Sequence, residues 1–195
     1  LSRLIHGSRL CLFIGVAVAL TSALIGTTLG VIGGYFTGAV HGIVAFLINV
    51  RLALPVILVA LASVAVFGAS LQIVILVLGL LLWDRFALVT MASTRQIVRN
   101  DYVDASRSMG FSNIRIILVD VLPNLGAQIL VLLPIEIAHA IILEAALSFL
   151  GLGTPPPTPS WGLMISEAKS SMMFQPWLIT IPGALLLVLV ACITV

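Results

Sequence analysis

The sequence predicts an all-α integral membrane protein, a bundle of apolar helices, and three observations carry that prediction. Of the 195 residues, 61% are hydrophobic and 8% are charged, with a mean hydropathy of +1.27; soluble domains carry roughly 25% charged residues. Several apolar runs are long enough to cross a hydrocarbon core. Those runs are continuous, not the short alternating segments of a barrel, so the spanning structures are helices that satisfy their own backbone. The net charge of +2 comes without a dense Lys/Arg cluster, so no nucleic-acid partner is expected. Cys11 and Cys192 lie in apolar runs far apart and read as lipid- or core-facing thiols, not as a disulfide or metal pair. The chain starts without Met in an amphipathic segment and ends inside an apolar run. The expectation is a single membrane domain over 1–195 that forms an internal portion of a longer protein.

Five spans are expected. Arg3, His6 and Arg9 among Leu4 and Ile5 suit a short interfacial helix before the first span. That span covers about residues 10–32 and contains Gly26 and Gly30, a small-xxx-small pattern for close helix approach. Residues 33–38, with three glycines and Tyr35 and Phe36, read as a turn at the membrane interface. The second span, about 43–67, carries Arg51 near its start, where it would snorkel or pair, and Pro55, which should bend it. The third, about 71–91, ends near Asp84-Arg85, an adjacent interfacial charge pair. The fourth, about 125–150, contains Pro134. The proline run at 155–157 reads as extended and stiff. Residues 163–175, with Glu167 and Lys169, read as a short interfacial helix, and the fifth span starts near Trp177 and contains Pro182.

Residues 94–124 are the long polar stretch. Val98, Tyr102, Ala105 and Met109 recur at helical spacing as an apolar stripe, with Arg95, Arg99, Asp101, Asp104, Arg107 and Ser108 on the other faces. Gly110 can end the helix in a left-handed cap, Ser112 can cap a second helix over 113–121, and Pro123 can restart the chain into the fourth span. Such a helix–Gly–helix unit suits either a headgroup-level amphipathic helix or a docking surface; the interleaved Asp101, Asp104 and Asp120 disfavour binding to anionic lipid alone. With five spans, a cytoplasmic 94–124 loop puts Arg51, Arg85, Arg95, Arg99, Arg107 and Arg115 inside and Arg3, Arg9 and Lys169 outside, as the positive-inside rule favours.

Asp104-Ala105-Ser106, three residues, Gly110, nine residues, then Asp120-Val121-Leu122-Pro123 resembles the EAA loop of ABC importer permeases, which carry Glu-Ala-Ala, Gly and Ile-x-Leu-Pro at that spacing. Leu1-Ser-Arg-Leu-Ile-His-Gly-Ser-Arg-Leu10, and Glu144-Ala-Ala-Leu-Ser-Phe-Leu-Gly-Leu-Gly followed by Pro156-Pro-Thr-Pro-Ser-Trp-Gly162, are similar to the C-type permease of dipeptide and oligopeptide importers. The resemblance covers essentially the whole chain in one register. Asp104, Ser106 and Asp120 depart from the general pattern, and Glu136 and His139 lie outside it. The resemblance implies the helix bundle of a type I ABC importer permease, with one more span before residue 1 and a polar tail after the last span. It implies that Asp101, Tyr102, Asp104, Ala105, Ser106, Met109, Gly110 and Pro123 form the coupling loop to ATPase subunits, with Tyr102 as anchor. It further implies a bacterial inner-membrane location, a second permease subunit as heterodimer partner, two ATPase subunits or one fused ATPase, and an extracytoplasmic substrate-binding protein. Membrane lipid is the surrounding solvent.

Glu136, His139 and Glu144 are ionisable residues inside the fourth span, where such groups are costly and rarely face lipid. Their spacing puts them on one stripe facing the bundle interior. They either line the substrate path, meeting a peptide amine, or hydrogen-bond to neighbouring helices. Glu-x-x-His also fits half of a carboxylate-bridged metal site, but no second copy occurs and no metal is expected. The chain holds no Walker-type Gly-rich phosphate loop, so no cofactor is expected on it, ATP and Mg belong to partner subunits, and the chain is expected to be non-catalytic. The cargo is expected to be di- or oligopeptides, with nickel or another small solute as the alternative. An ion-coupled secondary transporter would need a repeat with broken helices in both halves, which the chain lacks. An intramembrane enzyme would need a nucleophile or zinc motif, also lacking.

Overall fold

The computed structural model describes residues 2–153 and 159–194; Leu1 and the proline run at 155–157 lie outside the described residues. The described residues form helices joined by short breaks, with no strand among them. In chain order these are α1 (Ser2–Tyr35), α2 (Ala39–Ala53), α3 (Val56–Phe67), α4 (Leu71–Leu81), α5 (Asp84–Ile97), α6 (Asp101–Ser108), α7 (Asn113–Ile116), a π turn (Ile117–Val121), α8 (Leu122–Phe149), α9 (Trp161–Ala168) and α10 (Trp177–Thr194). Four stretches are long and apolar enough to cross a membrane: Ser2–Tyr35, Leu71–Ile97, Asn113–Phe149 and Trp177–Thr194. The broken pair α2 and α3 makes a fifth when counted as one span.

Several boundaries differ from the sequence expectation. The amphipathic start is not a separate interfacial helix. Residues 2–9 run straight into α1, because no breaker interrupts them and Trp161 holds them: its Nε1 donates to the Leu4 carbonyl at 3.0 Å. Gly33 and Gly34 are helical, not part of a turn. Their missing side chains admit neighbours; a Cβ on Gly34 would stand 2.6 Å from the Met91 carbonyl oxygen. The turn falls at Phe36–Gly38, where Gly38 takes φ 72°. Pro55 breaks its span instead of bending it. Leu54, just before the proline, is forced into extended backbone at φ −86°, ψ 127°, and α2 ends there. A second break at Leu82–Trp83 divides the third span. Pro123 does not restart the chain: helix runs unbroken from Asn113 to Phe149. The ring crowds the carbonyl four residues back, Val119, and that residue lies in the wider π turn, which makes room.

By contact density the described chain divides into two compact units. The first comprises Leu1–Leu20, Pro55–Leu82 and Pro134–Val195. Its core joins Ile14 and Val18 of α1, Ala60 and Val64 of α3, Val74 and Leu78 of α4, and Ala140, Leu143 and Leu147 of α8. A second cluster sets Cys11, Ile141 and Trp161 against Leu186, Leu189 and Val190 of α10. Ser160 caps α9 by accepting from the Leu163 amide at 3.1 Å, and Arg3 pairs with Glu167 at 2.8 Å.

The second unit comprises Thr21–Leu54 and Trp83–Leu133. Val31 and Tyr35 of α1 pack with Ile97, Val103, Ile116, Val121 and Leu125, and Val44 and Ile48 of α2 pack with Ala87 of α5. Gly26 and Gly30 do what their spacing predicts. A Cβ on Gly26 would stand 2.6 Å from Phe86 Cβ, and one on Gly30 would stand 2.6 Å from the Ala87 carbonyl oxygen. Lipid tails are as apolar as the helices, so this close backbone approach, not expulsion of water, drives the association.

Candidate functional site

Within the polar stretch α6 is a short helix closed at its C-terminal end. At its C-terminus, Met109 caps α6 and Gly110 takes the left-handed φ of 79°. The Gly110 amide donates to Arg107 O at 2.9 Å and the Phe111 amide donates to Ser106 O at 3.2 Å. This pair of bonds is the Schellman motif, which a residue without Cβ closes at no steric cost. Phe111 then packs into the cluster that contains Val103. Ser112 caps α7 as expected, its hydroxyl accepting from the Arg115 amide at 3.4 Å.

The orientation of α6 corrects the sequence reading of its apolar stripe. The residues that face the unit's own core are Val103, fully buried, and Ser106. Tyr102 is 44% and Met109 65% exposed, and Ala105 is exposed with them. At 100° per residue these three lie about a quarter turn from the buried face. Tyr102, Ala105 and Met109 thus turn away from the protein's own core, whereas Val98 lies at the end of α5 and packs against the core cluster. The sequence spacing reported a helix and left open which surface would cover it. Tyr102 is steadied from behind: Asn124 Nδ2 donates to the Tyr102 hydroxyl at 3.4 Å and to Asp120 O at 2.6 Å. Asp101 and Pro123 are exposed.

The opposite flank of α6 is charged. Arg107 Nη1 bonds Asp104 Oδ1 at 3.1 Å, and its guanidinium carbon lies 5.6 Å from the centre of the Tyr35 ring. Tyr35 in turn donates its hydroxyl to Asn113 Oδ1 at 2.9 Å. Tyr35, Asp104 and Arg107 line, with Arg95 and Arg99, a cavity of about 510 Å³. Sequence reading missed this grouping, because Tyr35 is 60 or more positions distant from the arginines; the only local signal was Arg95 and Arg99 four apart on one helical face.

Asp84 belongs to a different pair from the one its neighbour implied. Arg51 Nη2 lies 3.6 Å from Asp84 Oδ1, and both side chains are buried, at 8% and 10% exposure. This joins the last turn of α2 to the first turn of α5. An adjacent Asp-Arg in a helix points its two side chains 100° apart, so Asp84 was free to take a partner from another helix.

In α8, Glu136 and Glu144 are fully buried in the first unit. His139 Nδ1 stands 3.4 Å from Glu136 Oε2 with its side chain 32% exposed. Ser148 donates to Glu144 Oε1 at 2.6 Å. Glu136 and His139 therefore share a face as their spacing predicts, and Glu144 is held by a hydroxyl from its own helix. The described residues contain no convergent group of three His, Cys, Asp or Glu side chains. Cys11 is buried and Cys192 exposed, each free.

Residues 26–195 match the family model described as the inner membrane component of binding-protein-dependent transport systems. The dipeptide transport system permease protein of Haemophilus influenzae is 37% identical over 190 residues, covering 97% of this chain and 64% of that protein. The di/tripeptide transport system permease protein of Pseudomonas aeruginosa is 36% identical over 193 residues, covering 99% and 64%. The glutathione transport system permease protein of Pectobacterium atrosepticum is 35% identical, covering 93% and 60%. The chain thus spans about three-fifths of the length of the curated relatives it matches. A crystal structure of the MetNI methionine ABC transporter in an inward-facing form superposes with a TM-score of 0.78 at 17% identity, over 99% of this chain and 92% of that one. That likeness carries the fold: a type I ABC importer permease bundle. The fold and the match over most of its length together establish that this chain belongs to the family of binding-protein-dependent transport system inner membrane components.

Proposed function

We propose that this chain is the transmembrane subunit of an ATP-driven importer of di- and oligopeptides, that it forms half of the translocation pathway, and that the 94–124 loop couples it to ATPase subunits. The observation that carries this reading is α6 itself. It is a short helix closed at its C-terminus by the Gly110 turn, tied on both sides to spans, and among the described residues Tyr102, Ala105 and Met109 stay exposed on it. An aromatic anchor with apolar neighbours on a rigid support is what a groove on a partner protein takes. Relatives named for dipeptide, di/tripeptide and glutathione transport support the cargo class. The chain itself is non-catalytic and holds no cofactor; ATP and Mg reside on two ATPase subunits or one fused ATPase. A second permease subunit completes the pathway as a heterodimer, and an extracytoplasmic binding protein delivers the peptide. The chain is a multi-pass protein of the bacterial inner membrane with the 94–124 loop in the cytoplasm. Asp101, Asp104, Ser106, Gly110 and Pro123 shape or flank the coupling surface, and His139 with Glu136 and Glu144 belongs to the pathway half.

The test is the double substitution Tyr102→Ala with Met109→Ser. Loss of an aromatic anchor of this kind weakens an interface by about 30-fold. Membrane insertion should be normal, while ATPase subunits no longer co-purify and uptake of a labelled tripeptide falls at least tenfold. Full uptake with a stable complex would remove the coupling role from this face.

A further inference from the structure

Beyond coupling, the cavity behind α6 carries an inference of its own. Its lining includes Arg95, Arg99 and Arg107 against a single carboxylate, Asp104. Asp104 is already engaged by Arg107. Arg95 and Arg99 have no carboxylate within 4.0 Å among the described residues, so the cavity keeps two uncompensated guanidinium charges. Arg95 lies in the last turn of α5 and Arg99 follows in the turn to α6. The rest of the lining, Gly34, Tyr35, Thr37 and Val98, contributes a hydroxyl-bearing and partly apolar wall.

The position of the cavity narrows the ligand. Two candidate spans, Ser2–Tyr35 and Leu71–Ile97, both end at it. Helices of 34 and 27 residues outlast a hydrocarbon core of roughly 30 Å, so their shared end lies at or just outside the headgroup level, within reach of anionic lipid phosphates. Guanidinium groups present paired donors that match phosphate oxygens, and Tyr35, with Arg107 over its ring, supplies the flat amphipathic surface suited to that depth. A volume of about 510 Å³ admits a phosphodiester headgroup.

We propose that Arg95, Arg99 and Arg107, with Tyr35 and Thr37, form a binding site for a phosphate-bearing anion at the membrane surface, filled by the headgroup of an anionic phospholipid. The site lies on the flank of α6 opposite Tyr102 and Met109, so a lipid here steadies the coupling helix without occupying its docking face.

The experiment uses the full-length protein purified in a neutral detergent. Short-chain phosphatidylglycerol, phosphatidylcholine of the same chain length, and inorganic phosphate are each titrated and binding is read by native mass spectrometry and calorimetry. Phosphatidylglycerol should bind in a salt-sensitive manner, and Arg95→Gln with Arg99→Gln should weaken it about 30-fold. Arg95→Lys with Arg99→Lys, which keeps the charge but loses the paired donors, should recover part of the affinity. Both arginines are exposed, so these variants should elute from gel filtration as the parent does. Saturable inorganic phosphate binding that competes with the lipid would support the anion site with free phosphate as its source. Equal binding of phosphatidylglycerol to parent and Gln variant, or equal binding of phosphatidylglycerol and phosphatidylcholine to the parent, would overturn it. Because Arg95 and Arg99 lie outside the docking face, loss of lipid binding with intact ATPase co-purification separates this site from the coupling reading.

Discussion

Glycine at position 30 shows how little room α1 has in the second unit. A methyl group there would meet the Ala87 carbonyl oxygen at 2.6 Å, which cannot move without distorting α5. Gly30→Ala should therefore cost about 1–3 kcal/mol of stability, read as a lower midpoint of thermal aggregation in detergent. Gly42→Ala is the control, since nothing lies within 4 Å of its added Cβ, and its midpoint should not fall. The buried pair of Arg51 and Asp84 is a second residue-scale test. Asp84→Ala takes the carboxylate from a guanidinium that is 8% exposed, and breaking such a pair costs about 3–5 kcal/mol. The same thermal assay should register a large loss. Replacing Arg51 and Asp84 together by Leu should restore most of it, because two apolar side chains leave no buried charge behind.

At the scale of elements, α6 is defined by its ends more than by its eight residues. A helix so short has no stability of its own; the Gly110 cap and the burial of Val103 hold it. Gly110 has open space around its Cβ position but a φ of 79°, so the constraint is conformational and not steric contact. Gly110→Val forces a β-branched residue into the left-handed region. The expected result is normal insertion and normal basal ATP hydrolysis in the assembled transporter, with peptide uptake reduced at least tenfold, measured in vesicles. Unchanged uptake would show that the cap does not matter for coupling. The apolar spacing of Val98, Tyr102, Ala105 and Met109 pointed to one helix, but Val98 ends α5 and only the other three ride on or beside α6, and the spacing did not reveal its facing. Val103 and Ser106 are less apolar as a pair than the stripe, yet they hold the inner face, where the Schellman turn brings Phe111 back onto the same cluster as Val103. Prolines behaved unevenly for a similar reason. Pro134 and Pro182 sit inside continuous helices, Pro55 ends one, and Pro123 is absorbed by a π turn; the ring imposes the same local cost each time, and the neighbours decide how it is met.

On the scale of the whole molecule, the spans must alternate sides, and two contacts agree with an even count of spans between each end of α1 and the loop it meets. Arg3 pairs with Glu167, and Tyr35 bonds Asn113. An odd number of spans separates the 94–124 loop from the 151–176 segment, so the two should be reached from opposite faces. With Cys192 replaced by Ser and the buried Cys11 kept, Ser108→Cys should react with a membrane-impermeant maleimide only from the cytoplasmic side. Met173→Cys, at a residue 90% exposed, should react only from the other side. Labelling of both from one side would overturn the orientation.

Composition and run length alone determined that this chain is a bundle of apolar helices, because lipid leaves a backbone no other way to satisfy its hydrogen bonds over such runs. The left-handed turn at Gly110 and the cap at Ser112 were legible too, since caps and turns are local and leave a local residue pattern. The pairing of Arg51 with Asp84, the rotation of α6 and the meeting of Tyr35 with Arg95, Arg99 and Arg107 were decided by tertiary structure. Each depends on which side chains from distant segments reach the same place, and no periodicity within one helix encodes that.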